Sequence, residues 1–292
     1  MKPAIFEYYD PTTLHETLTL LAQLGEDAKV LAGGQSLVPM MNFRLVRPTY
    51  LVDLNRVNEL RFLRVENGSF RIGAMTRQRD LERSAAVTDG CPLLCEAARH
   101  IGHVQTRTRG TVGGSLAHAY PSAELPLAMI ALDAVFVLRN LKSERIVRAG
   151  DFFLSYMTTV LEPGELLVEI RIPPLPLRTG WSFHEVSRRH GDFALVGVAA
   201  LATLDEEGVM NRARLAFTGP VPVRHVKAEE LLMGQRPGKE LFHEAAQLAI
   251  QELEQDSDIH ASSDYRREVA GTLATRALEQ ATERAHGGLV HE

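Results

Sequence analysis

Two short glycine runs carry residue types that can bind an anion through the backbone. The runs are Ala32-Gly33-Gly34-Gln35-Ser36 and Thr111-Val112-Gly113-Gly114-Ser115. Because glycine has no Cβ, its backbone N–H group can approach a phosphate closely, and the following serine hydroxyl adds a further donor. Each run joins an apolar stretch to a segment with helical spacing. The pair predicts one elongated phosphate ligand held from two sides, and two ordinary tight turns are the alternative.

Other motifs for nucleotides or for hydrolysis are missing from the sequence. No Gly-x-Gly-x-x-Gly opens a helix, and Gly238-Lys239 is followed by Glu240 and lacks the spacing of a P-loop. A Rossmann dinucleotide site and a Walker NTPase are therefore disfavoured. The sequence also holds no Gly-x-Ser-x-Gly elbow, no His-Glu-x-x-His helix and no paired catalytic carboxylates. We predict no catalytic side chain, which fits a protein whose chemistry belongs to a cofactor.

Composition limits the possible partners and the compartment. The chain has 292 residues, of which 45% are hydrophobic, and this length favours two domains. Its net charge of −5 and its scattered lysines and arginines offer no basic stripe for nucleic acid. The first residues show no apolar signal segment, and no apolar run reaches about eighteen residues. We expect a soluble cytoplasmic protein without membrane insertion.

A metal site is not predicted. Cys91, Cys95, His100 and His103 include a common zinc ligand set. On one continuous helix, however, a rise of about 1.5 Å per residue would separate Cys91 from His103 by roughly 18 Å. That distance is far larger than a tetrahedral site, so free buried thiols are the better interpretation.

The apolar spacing along the chain predicts an α+β fold. Thr13 and Glu16 form a capping-box-like start to a helix that stops at Gly25. The other predicted helices cover residues 92–101, 241–253 and 265–277, with a further one starting near Ser122. The predicted strands cover residues 50–54, 70–74, 134–138, 166–172, 193–204 and 213–218.

Several longer segments together resemble one family. They are Lys29–Pro39, Arg47-Pro48, Leu51–Asn55, Ile72–Thr76, Arg109–Ala119, Pro121–Pro126 and Arg188–Val196. In this order they are similar to the FAD-binding medium subunit of molybdenum hydroxylases, a family that includes the carbon monoxide dehydrogenase medium subunit and the flavin domain of xanthine dehydrogenase. The resemblance runs from about residue 3 to about residue 280.

The resemblance implies a domain organisation. It places a two-part PCMH-type FAD-binding domain over residues 1–176, with subdomains of about 1–56 and 57–176. A C-terminal α+β domain, a sheet with helices, is expected over 177–283, and a disordered tail over 284–292. The boundary coincides with a proline cluster at residues 173–176.

The resemblance also implies which residues bind FAD. They are Ala32, Gly33, Gly34, Gln35, Ser36, Leu37, Thr111, Gly113, Gly114, Ser115, Glu124, Leu167, His184, Asp192 and Phe193. The two glycine runs are assigned to the pyrophosphate and to nearby ribityl or ribose oxygens. Leu167 matches an apolar position that packs on the cofactor, although a leucine in a strand needs no ligand to explain it.

Glu124, Phe193 and Asp192 each have a second interpretation. Glu124 stands where relatives usually carry Asp, and its alternative role is that of a helix N-terminal acid. Phe193 matches an aromatic ring that covers one face of the isoalloxazine, and otherwise it is a core residue of a strand. Asp192 is expected either to hydrogen-bond a flavin nitrogen or to make a turn after Gly191. His184 occupies the approximate place of a lysine that reaches the flavin.

The implied function is electron transfer. In the family, a large molybdopterin subunit oxidises the substrate and a small subunit with two [2Fe–2S] clusters passes the electrons to FAD. The flavin delivers them to NAD, oxygen or a quinone, and a dimer of heterotrimers is the expected assembly. Two alternatives remain open at this point. One is a free-standing flavoprotein oxidase of the wider superfamily, and the other is a non-enzymatic nucleotide-binding regulator.

Overall fold

The computed structural model describes residues 2–287, which form two compact units. Unit 1 contains residues 2–84, 103–119 and 134–173, and unit 2 contains residues 85–102, 120–133 and 174–287. Each unit is therefore assembled from three separate stretches of the chain. The division into 1–176 and 177–283 stays a sequence-based prediction.

Runs of helices and runs of strands follow one another along the described chain. The helices are α1 (Leu14–Leu24), α2 (Leu37–Asn42), α3 (Gln78–Arg83), α4 (Ala85–Gly90), α5 (Pro92–His100), α6 (Val104–Arg109), α7 (Val112–His118), α8 (Glu124–Ala131), α9 (Ala149–Phe152), α10 (Val226–Leu232), α11 (Lys239–Gln251) and α12 (Ser263–Ala285). The strands are β1 (Glu7–Tyr9), β2 (Ala28–Leu31), β3 (Tyr50–Asp53), β4 (Leu63–Glu66), β5 (Ser69–Gly73), β6 (Val135–Arg139), β7 (Glu144–Arg148), β8 (Phe153–Ser155), β9 (Thr158–Thr159), β10 (Leu166–Ile172), β11 (Thr179–Ser187), β12 (Ala194–Leu204), β13 (Met210–Phe217) and β14 (Val223–Arg224). This mixture of helices and sheets confirms the predicted α+β class.

Unit 1 contains two larger sheets and a small hairpin. A parallel three-stranded sheet has the order β1-β3-β2, and an antiparallel five-stranded sheet has the order β4-β5-β10-β6-β7. The small hairpin pairs β8 with β9. Strand β10 is central and almost wholly buried, as its largely apolar sequence predicts. Leu18, Val52 and Val168 belong to one core cluster that joins elements of both larger sheets.

The first helix shows how local sequence sets an element's limits. The N–H group of Glu16 donates to the hydroxyl of Thr13 at 3.1 Å, which caps the helix as predicted. The buried residues include Leu14, Leu18 and Leu21, which lie on one face, and the helix ends at Gly25 with φ +59°. Helix α1 thus confirms the predicted helix between Thr13 and Gly25.

Unit 2 is built around an antiparallel sheet with the order β11-β12-β13-β14. Strand β12 is apolar along both faces because each face is covered by helices. A Cβ added at Gly197 of β12 would lie 3.2 Å from Leu127 of α8. A Cβ added at Gly180 of β11 would lie 1.8 Å from the carbonyl oxygen of Ala281, so the backbone of α12 packs directly on that strand. The sequence pattern does not predict β11, and the strand predicted to start at Phe193 begins at Ala194.

The end of the chain differs from the expected tail. Helix α12 begins after the N-cap Ser262 and continues through Ala285. Its C-terminal part is held by Arg284, which donates to Glu96 at 2.8 Å and to the carbonyl oxygen of Trp181 at 2.8 Å. Of the tail predicted over 284–292, residues 288–292 lie outside the described residues.

A charged cluster in unit 2 surrounds Asp133. Its carboxylate accepts hydrogen bonds from Arg212 at 2.8 Å, from Arg214 at 3.0 Å and from Arg224. Burial opposes ionisation of Asp133, but Arg224 and Arg214 attract its negative charge and hold its pKa below the usual value for aspartate. The backbone of Asp133 is left-handed, with φ +53°, a conformation that asparagine also tolerates.

We predict that Asp133→Asn lowers the free energy of unfolding by about 1–3 kcal/mol at pH 7, because three guanidinium groups lose their shared counter-charge. Because the folded pKa is depressed, ionised Asp133 contributes its full stabilisation above the unfolded pKa of about 4. This contribution is lost as pH falls through the folded pKa. The difference between variant and wild type should therefore shrink below about pH 4. Urea unfolding followed between pH 7 and pH 3 measures it.

Asp264→Asn is the matched control for this measurement. The side chain of Asp264 is 87% exposed in its ion pair with Arg267, so its loss should change stability by less than about 0.5 kcal/mol. A pH-independent deficit in Asp133→Asn would contradict the electrostatic explanation.

Candidate functional site

The first glycine run forms the connection between β2 and α2 and keeps its donors free. Gly34 has φ +73°, which glycine adopts without strain. Within residues 2–287, the backbone N–H groups of residues 33–37 donate to no protein acceptor. The side chain of Gln35 donates to the carbonyl oxygen of Gly33 at 3.1 Å, so it folds back on the run. Five successive unused donors are a suitable cradle for an anion.

The second glycine run uses its donors inside the protein. Thr111 caps α7, and its hydroxyl accepts a hydrogen bond from the N–H group of Gly114 at 3.1 Å. The N–H group of Val112 donates to the carbonyl oxygen of Thr76 at 2.9 Å, and the N–H group of Gly113 donates to the carbonyl oxygen of Ala74 at 2.8 Å. The first run therefore has free amides and the second does not, and the binding of a phosphate by either run stays a prediction. Gly113 is needed for packing, because an added Cβ would lie 2.5 Å from the Cβ of Ala74.

The two runs lie side by side in unit 1. A Cβ added at Gly33 would lie 2.5 Å from the carbonyl oxygen of Arg109 and 2.7 Å from the Cα of Gly110. A Cβ added at Gly114 would lie 3.4 Å from the Cβ of Ala32. The pairing that the sequence suggested is thus a direct contact, and the hydroxyl of Ser115 remains near it as a donor.

Two residues that sequence reasoning missed connect these runs. The Asn55 side chain donates to the carbonyl oxygen of Ala32 at 3.0 Å. The Arg77 guanidinium donates to the Asn55 side chain at 2.7 Å and also to the carbonyl oxygen of Arg109. Asn55 lies inside a segment that carries the family resemblance, but nothing in its local pattern marks it as a support for the loops.

Leu167 also belongs to unit 1. It lies in β10 at a shift of register, where the strand pairs Leu167 with Leu138 and then Glu169 with Val137. Its side chain is buried, and the surrounding strand residues account for this burial. The structure therefore places Leu167 in a sheet core, and a contact with the cofactor stays a prediction.

The remaining predicted residues, Glu124, His184, Asp192 and Phe193, belong to unit 2. Glu124 is the first residue of α8 and is buried, which agrees with a helix N-terminal acid and leaves its predicted cofactor contact untested. The N–H group of Asp192 donates to the carbonyl oxygen of Arg189 at 3.0 Å in a turn where Gly191 has φ +87°. Asp192 therefore makes the turn that was one of its two predicted roles.

Phe193 is exposed and is not a core residue of the strand. Its side chain is 64% exposed, and its ring centroid lies 4.4 Å from that of Tyr120. The two rings are tilted by 37°. The exposed ring of Phe193, packed on the half-buried ring of Tyr120, offers a flat apolar surface to a planar ligand. The interpretation of Phe193 as a buried strand residue is thus wrong, because β12 begins one residue later.

His184 lies in the middle of β11. Alternation along the strand places it on the same face as Ser182, whose hydroxyl donates to Gln280 of α12 at 2.7 Å. Its Nε2 atom is buried and has no hydrogen-bond partner within residues 2–287. Burial lowers the pKa of His184, so the imidazole is neutral at pH 7. It does not reproduce the permanent positive charge of a lysine.

Within the described part of the chain, no group of three or more His, Cys, Asp or Glu side chains is placed to hold a metal ion. Cys91 and Cys95 are both buried as free thiols, and burial raises the pKa of Cys91 to about 12. No helix between residues 2 and 287 is long and apolar enough to cross a membrane.

Comparison with known proteins decides the family. A model described as the FAD binding domain in molybdopterin dehydrogenase matches residues 4–175, and one described as the CO dehydrogenase flavoprotein C-terminal domain matches residues 181–281. The chain belongs to this molybdenum hydroxylase flavoprotein family. It is an FAD-binding medium subunit, and its relatives are oxidoreductases.

Individual relatives match this medium subunit over nearly its whole length. The 6-hydroxypseudooxynicotine dehydrogenase complex subunit alpha of Paenarthrobacter nicotinovorans is 42% identical over 98% of this chain and 97% of its own. Carbon monoxide dehydrogenase from Hydrogenophaga pseudoflava, in a form lacking the Mo-pyranopterin moiety, has a TM-score of 0.95 at 42% identity, covering 97% of this chain and 99% of that one. Quinoline 2-oxidoreductase from Pseudomonas putida 86 has a TM-score of 0.93 at 37% identity, covering 98% and 99%.

We predict that Gly33→Ala lowers FAD affinity by at least about tenfold. The new Cβ would meet the backbone of Arg109 and Gly110, so the first run must move away from the second. FAD titration of the purified full chain, followed by flavin fluorescence, measures the change.

Gly150→Ala is the control, because a Cβ added at Gly150 of unit 1 meets nothing within 4 Å. It should bind FAD like the wild type. If Gly33→Ala bound FAD with wild-type affinity, FAD binding would not depend on the close contact between the runs.

Proposed function

We propose that this medium subunit transfers electrons between a small [2Fe–2S] subunit and an external acceptor. The bound FAD supplies redox chemistry that accepts electrons arriving from the clusters and delivers them to NAD, oxygen or a quinone. A large molybdopterin subunit oxidises the substrate, and the three subunits form a dimer of heterotrimers. The relatives support this proposal, since they include a subunit of a dehydrogenase complex and the medium chain of carbon monoxide dehydrogenase.

One observation in this chain carries the proposal. The five unused N–H groups of residues 33–37 form a row of donors, and the second glycine run packs directly against that row. We assign these donors to the FAD pyrophosphate, because a phosphate oxygen can accept from several backbone amides at once. The hydroxyl of Ser115 is assigned to a neighbouring ribose or ribityl oxygen. Thr111, Gly113 and Gly114 shape the adjoining wall through packing and capping.

The unit 2 residues are assigned to the isoalloxazine end of the cofactor. Phe193, which packs on the half-buried Tyr120, offers exposed aromatic surface against which a flat ring system can stack. His184 contributes a neutral imidazole with a free ring nitrogen, so its expected role is hydrogen bonding and not charge stabilisation. Asp192 and Glu124 stay candidates for polar contacts with the cofactor.

A reconstitution experiment tests the proposed function. The full chain is purified alone and together with the large and small subunits, and the flavin spectrum is recorded before and after substrate is added. FAD that is reduced by substrate only when both partners are present supports the proposal. Reduction by a small substrate in the chain alone would identify a free-standing oxidase instead. No FAD in the chain or in the assembled complex would refute the flavoprotein assignment.

The electron acceptor is tested in the same preparation. The reduced complex is mixed in turn with NAD, with oxygen and with a soluble quinone, and the rate of flavin reoxidation is compared. One acceptor that reoxidises the flavin at least about tenfold faster than the others identifies the class that the subunit serves. Reoxidation that bypasses FAD, seen as acceptor reduction by a flavin-free complex, would contradict transfer through this subunit.

We predict that Phe193→Ala raises the rate at which oxygen reoxidises the reduced flavin, on the order of several-fold, because removal of the ring exposes one face of the isoalloxazine to solvent. Stopped-flow absorbance after anaerobic reduction measures this rate. Ile259→Ala is the matched control, since Ile259 of unit 2 is 94% exposed and has no assigned role. Equal rates in the wild type and Phe193→Ala would leave Phe193 without a role at the flavin.

A further inference from the structure

Arg77 holds an unusual place among the charged residues of unit 1. It immediately precedes α3, and its backbone forms an isolated antiparallel bridge with Thr111, the residue that opens the second glycine run. Its guanidinium donates to the carbonyl oxygen of Arg109 and to the side-chain oxygen of Asn55. Both acceptors are neutral. Arg77 therefore contacts the start of the second run through both its backbone and its side chain.

Asn55 extends this connection to the first run. Its Nδ2 atom donates to the carbonyl oxygen of Ala32 at 3.0 Å, while its side-chain oxygen accepts from Arg77 at 2.7 Å. Its own N–H group donates to the carboxylate of Asp53 at 2.8 Å, which fixes the residue at the end of β3. A continuous chain of hydrogen bonds thus leads from Ala32 through Asn55 and Arg77 to Arg109. Its two ends are the carbonyl groups where the two runs approach each other.

The charge of Arg77 is poorly compensated. Within residues 2–287, no ion pair joins its guanidinium to a carboxylate, whereas Arg79 and Arg107 of the same unit pair with Glu82. Burial lowers the pKa of Arg77, and repulsion from Arg61 and Arg109 adds to this effect more strongly than Asp80 and Asp53 oppose it. An arginine stays protonated in proteins all the same. A half-buried positive charge therefore faces the region of the two glycine runs without a counter-ion.

We propose that Arg77, held by Asn55, is a positioning residue for the FAD pyrophosphate. The pair fixes the separation of the two glycine runs, and the charge of Arg77 favours a ligand that brings negative charge to the free amides of residues 33–37. This inference rests on the proposed assignment of those amides to the pyrophosphate. It extends that assignment by naming the residues that keep the cradle open at the right width.

Two substitutions separate the spacing role from the charge role. Arg77→Met removes both the charge and the bonds to Asn55 and Arg109, and FAD affinity should fall by about tenfold to a hundredfold. Asn55→Ala removes the link to Ala32 but leaves every charge in place, and FAD affinity should fall by about threefold to tenfold. Arg77→Lys keeps the charge and loses the two-pronged geometry, so its FAD affinity should lie between those of Arg77→Met and the wild type.

The salt dependence of binding distinguishes a charge effect from a packing effect. FAD titrations of the full chain are repeated from low to high ionic strength, with ADP as a competing ligand that carries a pyrophosphate and no flavin. The loss of affinity with salt should be weaker in Arg77→Met than in the wild type, because one attractive charge is gone. It should be unchanged in Asn55→Ala and in Arg77→Lys. The affinity for ADP, measured by competition, should change across the variants and salt concentrations in the same way as the affinity for FAD.

The control variant is Arg139→Gln, which removes an exposed arginine from β6 of the same unit. It should bind FAD like the wild type, and circular dichroism and thermal unfolding check that every variant is folded. Wild-type affinity in Arg77→Met would overturn the inference. Equal losses in the Met and Lys variants with unchanged salt dependence would overturn it too, because only a packing role would then remain.

Failure of the proposed function would look different. In that case the wild-type chain would bind no FAD, alone or with its partner subunits, before any variant is compared. If the wild type binds FAD and the Arg77 and Asn55 variants bind it equally well, the flavoprotein assignment is supported. Only the proposed role of Arg77 and Asn55 would then be refuted.

Discussion

The site in unit 1 depends on a close approach between two stretches of backbone. The carbonyl group of Arg109 and the Cα of Gly110 pack against Gly33 at a distance that leaves no room for a side chain. This contact brings together two parts of the sequence almost eighty residues apart. The N–H groups of residues 33–37, beside this contact, donate to no acceptor within residues 2–287. Everything that we assign to the pyrophosphate follows from this constraint on a single residue.

The two glycine runs look alike in sequence but differ in how their backbone donors are used. In the first, the glycines leave backbone donors unused, and in the second they let a helix start against Ala74 with its donors already satisfied. Buried backbone groups need partners, so free amides persist only where a ligand or water can reach them. This difference supports the proposal that the first run binds the cofactor and that the second supports it. The Asn55 and Arg77 pair also supports the runs, because it binds the carbonyl oxygen of Ala32 in the first run and that of Arg109 just before the second.

Much of this architecture could be predicted from local sequence. The cap at Thr13, the apolar run of β10 and the N-cap at Ser262 each leave a pattern within a few residues. The contribution of Arg77 could not be predicted in this way, because its partners lie 22 and 32 residues away and neither forms a recognisable motif with it. Strand β11 was missed because polar residues such as Ser182 and His184 face α12 and disguise the alternation.

The assembly of unit 2 from distant stretches bears on how the chain folds during synthesis. Helix α8 is buried along its whole length, and it packs on β12, which is made more than sixty residues later. Helix α5 is likewise tied to the last turns of α12 by the bond between Glu96 and Arg284, which are 188 residues apart in sequence. A nascent chain therefore carries apolar segments without their cover until α12 leaves the ribosome. Unit 2 cannot be completed before α12 has been synthesised, so chaperones have a long interval in which to bind the earlier segments.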